Sequence, residues 1–228
     1  MVFKLIRSIR EQTRGNFLFL LAALAVFLVV SPLIHNKILL SASLLVILLG
    51  AIRAVAGNPR TVRVAMAFAA LSFLSSVAAV QYDTAPVRLF GALVYVVFFS
   101  VTFGAMLGHV LSPGSVTVNK IAGGICVYVL IAIVAAFLFA ILDEVDPKSF
   151  KGLRADNDVH TFSDAVYFSF VTLTTLGYGD ITPQTPLARN LCAMLAVIGQ
   201  IYLTVLVAAL VALHIGERIS SRERERGS

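Results

Sequence analysis

Apolar positions in this chain form long unbroken runs, without the strict alternation or narrow stripes of a soluble fold. Charge-free stretches cover Gly15–Asn36, Ile38–Ile52, Val64–Tyr82, Leu89 to about Leu111, Ile121–Leu142 and Asn190–Gly216. The second reaches about Gly57 if Arg53 extends its charge to the membrane interface. A helix needs about 20 mostly apolar residues to cross roughly 30 Å of hydrocarbon. The pattern therefore predicts an all-α membrane protein with six transmembrane helices. The joints Pro32–Lys37, Gly57–Arg63, Tyr82–Arg88 and Ser112–Lys120 are short, as antiparallel membrane neighbours require. From Asp143 to Pro186, by contrast, the chain makes no full span, and so long a connection needs an explanation.

Within that connection, "HTFSDAVYFSFVTLTT" reads as a short helix. Thr161 or Ser163 suits its N-cap, and Asp164 sits where a negative charge suits the helix dipole. Tyr167, Phe168, Phe170 and Val171 give it an aromatic-rich surface for burial. At roughly 12 residues and about 18 Å it can enter a bilayer and not leave it. "GYGD" then turns the chain back, and Pro183 and Pro186 close the irregular stretch. The expectation is a re-entrant loop. Non-helical backbone at membrane depth must be buried in protein or line a watery cavity. A row of otherwise unused carbonyl oxygens from Thr175 to Gly179 is then a cation site.

Composition agrees with the pattern. The chain has 228 residues, 59% hydrophobic and 13% charged, against about 45–50% and roughly 25% in a soluble protein. Basic residues set the orientation. Lys4, Arg7, Arg10, Arg14, Arg53, Arg60, Arg63, Lys120, Arg218, Arg222, Arg224 and Arg226 fall on one side, which is 12 of the 18 Lys and Arg. Both termini are thus expected in the cytoplasm, and the net charge of +6 reads as topology and lipid contact with no nucleic-acid partner. The first run is longer than the usual hydrophobic core of a cleaved leader, about 7–15 residues, and no A-x-A site follows it, so a retained helix is expected. Cys126 and Cys192 lie inside predicted spans and read as small hydrophobes. His35, His109, His160 and His214 are scattered without metal-ligand spacing. No nucleophile–base or metal constellation supports an enzyme, and no cofactor is implied.

"TTLGYGD", Thr174 to Asp180, resembles the potassium-channel signature T-V-G-Y-G-D. The resemblance extends from about Val118 to Ile215. It is to bacterial six-transmembrane-helix potassium channels of the pore-loop, voltage-gated-like superfamily, here without a charged sensing helix. It implies a division into a basic N-terminus (1–15), a sensor-like four-helix domain without gating charges (16–111), a pore domain (112–216) and a tail (217–228). The pore domain would contain a pore helix over 161–174 and a filter over 175–180. The ion-binding positions are then Thr175, Leu176, Gly177, Tyr178 and Gly179. K+ is the permeant ion, coordinated at Thr175, Leu176, Gly177 and Tyr178. Thr174, Asp180 and Tyr167 are implied as filter supports, with Tyr167 bonding Asp180 and Tyr178 braced by Tyr167 and Phe168. One signature is a quarter of a ring, so the resemblance implies a homotetramer in the plasma membrane. Two departures stand out: Leu176 replaces the usual valine, and Val171 stands where some relatives carry glutamate.

Gly199 lies where the resemblance places an inner-helix hinge, with close helix packing as the alternative. Gln200 faces either the cavity below the filter or another helix. "GAMLG" (Gly104–Gly108) reads as ordinary helix packing in preference to a subunit interface. A voltage sensor needs several regularly spaced charges, each contributing about 2.3 kcal/mol per 100 mV. The fourth run carries only Arg88, so steep voltage dependence is not expected. The sequence leaves the opening stimulus and any additional gating partner undefined. Open alternatives are a weakly selective monovalent cation channel, a non-conducting channel-like regulatory subunit and, from another class, a secondary transporter.

Overall fold

The computed structural model describes residues 17–34, 36–55, 59–82, 84–111, 117–154 and 158–226. The basic residues Lys4, Arg7, Arg10 and Arg14, together with His35 and Gly57, lie outside them. The described helices are α1 (Phe17–Val30), α2 (Lys37–Val55), α3 (Pro59–Tyr82), α4 (Ala85–Val110), α5 (Val118–Val145), α6 (Asp158–Leu173) and α7 (Pro186–Arg226). A 3-10 turn, Ser31–Leu33, follows α1. Two short strands, β1 (Phe150–Lys151) and β2 (Thr182–Pro183), flank α6 and pair antiparallel, Phe150 opposite Pro183 and Lys151 opposite Thr182.

Local chemistry sets several of these boundaries. Thr117 caps α5 by accepting a hydrogen bond from the Lys120 backbone N–H at 3.2 Å. That starts the helix before the expected Ile121 and carries Asp143 and Glu144 into its last turn. Thr185 accepts from the Ala188 N–H at 3.3 Å, and Pro186 opens α7 with its φ already helical. Pro186 was expected to precede the helix; it begins it. The helix also continues past residue 216, to Arg226.

Four described segments are long and apolar enough to cross a membrane: Lys37–Ala54, Ala85–Val110, Val118–Val145 and Pro186–Ala209. Phe17–Leu33 and Met66–Ala78 are shorter apolar helices. α5 is the central element. On it pack α1, whose buried residues are Phe17, Leu20, Leu24 and Phe27, and also α4, α6 and α7. Gly123 meets Phe17, and Gly124 meets Leu206 of α7, at distances where a β-carbon would crowd the neighbour. The Tyr202 hydroxyl donates to the Gly124 carbonyl at 2.7 Å, tying α7 to α5 in a buried position. Large side chains such as Val26, Val29, Leu33, Ile38 and Val101 instead face outward, which suits a hydrocarbon solvent and not water.

The Gly104–Gly108 expectation needs correction. Among the described residues a β-carbon at either glycine would meet nothing within 4 Å, so neither glycine is a close-packing position within its own chain. The reason is geometric: α4 turns Tyr95, Phe98, Phe99, Thr102, Met106 and Val110 inward, and both glycines fall on the opposite face.

Candidate functional site

The short helix α6 begins at Asp158, three residues before Thr161, so Thr161 is not its N-cap. The Thr161 hydroxyl donates to the Arg154 carbonyl at 2.6 Å. Arg154 in turn clamps Asp164, with its backbone N–H (3.1 Å), Nε (2.9 Å) and Nη2 (2.6 Å) all donating to that carboxylate. The loop before α6 is thereby fastened to the helix's second turn. Farther along, Phe168 packs against Phe139 at 5.2 Å and Phe150 at 5.6 Å. Its ring turns toward α5 and β1. Tyr178 itself is 66% exposed.

At its C-terminus α6 closes with a paired cap. The Thr175 N–H donates to the Thr172 carbonyl at 3.0 Å and the Leu176 N–H to the Val171 carbonyl at 2.9 Å. This is the Schellman arrangement, which needs a left-handed residue just past the helix. Here that residue is Thr175, with φ 59°, and not the usual glycine. Left-handed φ recurs at Gly177 (58°) and Gly179 (82°), whereas Leu176 and Tyr178 keep negative φ. The sign of φ thus alternates residue by residue from Thr175 to Gly179. Side chains larger than hydrogen are strained at such angles. Residues Thr174 to Asp180 are all exposed in the single chain.

Both ends of this segment are held by named contacts. At the outer end the Tyr167 hydroxyl donates to Asp180 Oδ2 at 2.7 Å. That bond, first among the causes, pushes the Tyr167 phenol up to about 12. It also holds the Asp180 carboxyl below its ordinary value. Gly152, with φ 98°, sits so close to the Asp180 carbonyl that a β-carbon there would overlap it. The β1–β2 pair fastens the chain just beyond, at Thr182 and Pro183. At the inner end, Gln200 Nε2 donates to Thr175 Oγ1 at a long 3.5 Å, and the Thr174 hydroxyl folds back to the Phe170 carbonyl at 2.7 Å. A β-carbon at Gly199 would overlap the Leu173 carbonyl oxygen, which also accepts from the Tyr128 hydroxyl at 3.4 Å. α7 runs unbroken through Gly199, so the geometry there is that of close packing.

Sequence reasoning missed the left-handed Thr175, Gly152 and the Arg154–Asp164 clamp. The signature's glycines announce unusual angles, but no residue-type signal marks a threonine for one. Among the described residues no group of His, Cys, Asp and Glu is arranged to hold a metal. The oxygen-rich feature is the backbone of 175–179.

The capped helix α6 is thus followed by an exposed segment of alternating φ, Thr175 to Gly179, and then by α7. Residues 124–214 match a family described as "Ion channel". The match is to channels and not to enzymes. Over 53 residues the chain is 43% identical to "Two pore potassium channel c" of Oryza sativa subsp. japonica, covering 23% of this chain and 12% of that one. Over 101 residues it is 27% identical to "Two-pore potassium channel 4" of Arabidopsis thaliana, covering 44% and 36%. Over 45 residues it is 44% identical to human "Potassium voltage-gated channel subfamily KQT member 4", covering 20% and 6%. The chain thus spans well under two thirds of the length of these curated relatives. No solved structure matches it.

Proposed function

We propose that four copies of this chain form a potassium-selective channel that passes K+ passively and responds weakly to voltage. The observation that carries this reading is the alternation of left-handed φ at Thr175, Gly177 and Gly179, which aligns a row of carbonyl oxygens. Such rows replace the water shell of a dehydrated ion. The rungs are the carbonyls of Thr175, Leu176, Gly177 and Tyr178, with the Thr175 hydroxyl at the inner mouth. Thr174, Tyr167 and Asp180 support them, and the C-terminal dipole end of α6 faces the ion in the cavity. Gln200 lines that cavity. K+ is the passing cargo, and no cofactor takes part.

Six spans, cytoplasmic termini and a plasma-membrane location complete the reading. Only 17% of the α7 span is buried within the chain, against 56% of the α5 span, which supports further copies packing on α7. Arg88, the one formal charge on α4, is held bidentately by Glu144 of α5, at 2.7 Å and 3.2 Å. A charge pinned at a helix end gives the membrane field little to move. Leu176 favours a second reading, a weakly selective cation channel, because its side chain packs differently from valine behind the filter.

The deciding measurement is a reversal potential in mixed K+ and Na+, recorded on purified protein whose native mass is a tetramer. A potential near the K+ equilibrium value is expected. One midway between the two ions supports the weakly selective reading, and absence of any current overturns both.

A further inference from the structure

The four helices before α5 lack the charges of a voltage sensor, yet α2 and the turn after α1 touch the pore helix and α4 reaches it through α5. Tyr95 of α4 is buried, and its ring stacks on Phe137 of α5 at 4.9 Å and 6° between planes. Phe137 in turn meets Phe162, in the first turns of α6, at 4.6 Å. Phe99 backs the column, 6.1 Å from Tyr95 and 6.2 Å from Phe137. The column also has a polar root in α3. The Ser76 hydroxyl gives its proton to the Ser72 carbonyl at 3.0 Å, so in the 2.9 Å Tyr95–Ser76 contact the tyrosine donates. A second path starts at the Ser31–Leu33 turn, which touches α6 directly, as does α2. The outer end of α4 is fastened to α5 by Arg88 and Glu144.

We propose that these charge-poor helices are a fixed brace for the pore helix. Tyr95 is the positioning residue, acting through Phe137 and Phe162 on the filter that α6 carries. The proposal rests on the channel reading above. Interleaved aromatic rings resist sliding and tilting because each ring's movement opens a gap its neighbour cannot fill. A small tilt of α6 would move Thr175 and, with it, the spacing of every carbonyl beyond.

The test uses the full chain in liposomes and compares Tyr95→Leu, Phe162→Leu and their double variant. Phe17→Leu is the control, since it removes a buried ring beside Gly123 and His109, away from α6. Each of the first two variants is expected to lower the K+/Na+ permeability ratio by about two- to tenfold, the range an aromatic pair corresponds to. The double variant should fall no further than the larger single effect. Tyr95→Phe should keep the wild-type ratio, and Phe17→Leu should lower Tm while leaving the ratio alone.

Amide hydrogen exchange supplies a readout independent of current. Exchange across Val166–Leu173 should quicken in Tyr95→Leu and not in Phe17→Leu; Tyr95→Met takes its place if that variant fails to fold. A lowered Tm with unchanged ratio and unchanged α6 exchange overturns the brace, as do effects that simply add. A wild-type protein without K+ current defeats the channel reading, and the exchange comparison then decides the brace alone.

Discussion

Tyr167 and Asp180 meet in a single 2.7 Å hydrogen bond, and the two groups shift each other's titration in opposite directions. Asp180 is held down by the Tyr167 hydroxyl, so its contribution is present above the unfolded carboxylate value, about 3.9. That contribution is lost as pH falls through the lower folded value. Tyr167 is pushed up, chiefly by the same bond. Its contribution is complete below the unfolded phenol value, about 10, and disappears as pH rises through the folded one. The contact is therefore constant from about pH 5 to pH 9. Filter lifetime, read from single-channel open times, should be flat over that window, shorten below about pH 4, and shorten again in strong alkali where the Tyr167 phenol ionises. Tyr167→Phe should shorten open times at neutral pH. Wild-type open times in that variant would remove the bond from the mechanism.

Between elements, the decisive contact is the one that sets α7 against the end of α6. Gly199 lies on the Leu173 carbonyl with no room for a β-carbon, and the Tyr128 hydroxyl reaches the same oxygen. Tyr128 and Tyr202 stack at 5.8 Å just beside it. Backbone cannot yield as a flexible side chain can, so Gly199→Ala must push the two helices apart. Overpacking of this kind costs about 1–3 kcal/mol. The variant should show a lowered Tm and a lowered K+/Na+ permeability ratio together, because Leu173 is two residues from Thr175. A hinge role predicts the contrary result, altered opening with unchanged Tm. Gly152 performs the equivalent service outside the filter, where β1 and the Asp180 carbonyl touch.

Across the whole molecule, the helices before α5 and those from α5 onward share one apolar core, joined most extensively where α4 lies on α5. Their outer ends are pinned by Arg88 and Glu144, whose side chains are 28% and 25% exposed. A pair so open to solvent contributes on the order of 0.2–1 kcal/mol. Arg88→Gln should accordingly lower Tm only slightly. If α4 is a brace, the slope of conductance against voltage should be shallow in the wild type and unchanged in Arg88→Gln. A slope that falls in the variant would make Arg88 a gating charge.

The apolar runs by themselves determined that the chain is helical and built for a membrane, because few structures other than a helix satisfy their own backbone in lipid. The order of short helix, "TTLGYGD" and final helix pointed to the left-handed angles that the structure shows at 177 and 179, since glycine there marks angles other residues avoid. Tertiary structure decided what local pattern could not. Thr175 is left-handed because the end of α6 requires it, and its residue type carries no trace of that demand. Arg154 finds Asp164 and Gly152 finds Asp180 only after the loop folds back. Gly104 and Gly199 look alike in sequence, but one faces open space and the other a carbonyl. That difference is set by which face of each helix its neighbours cover, and a one-dimensional pattern of apolar residues does not record neighbours.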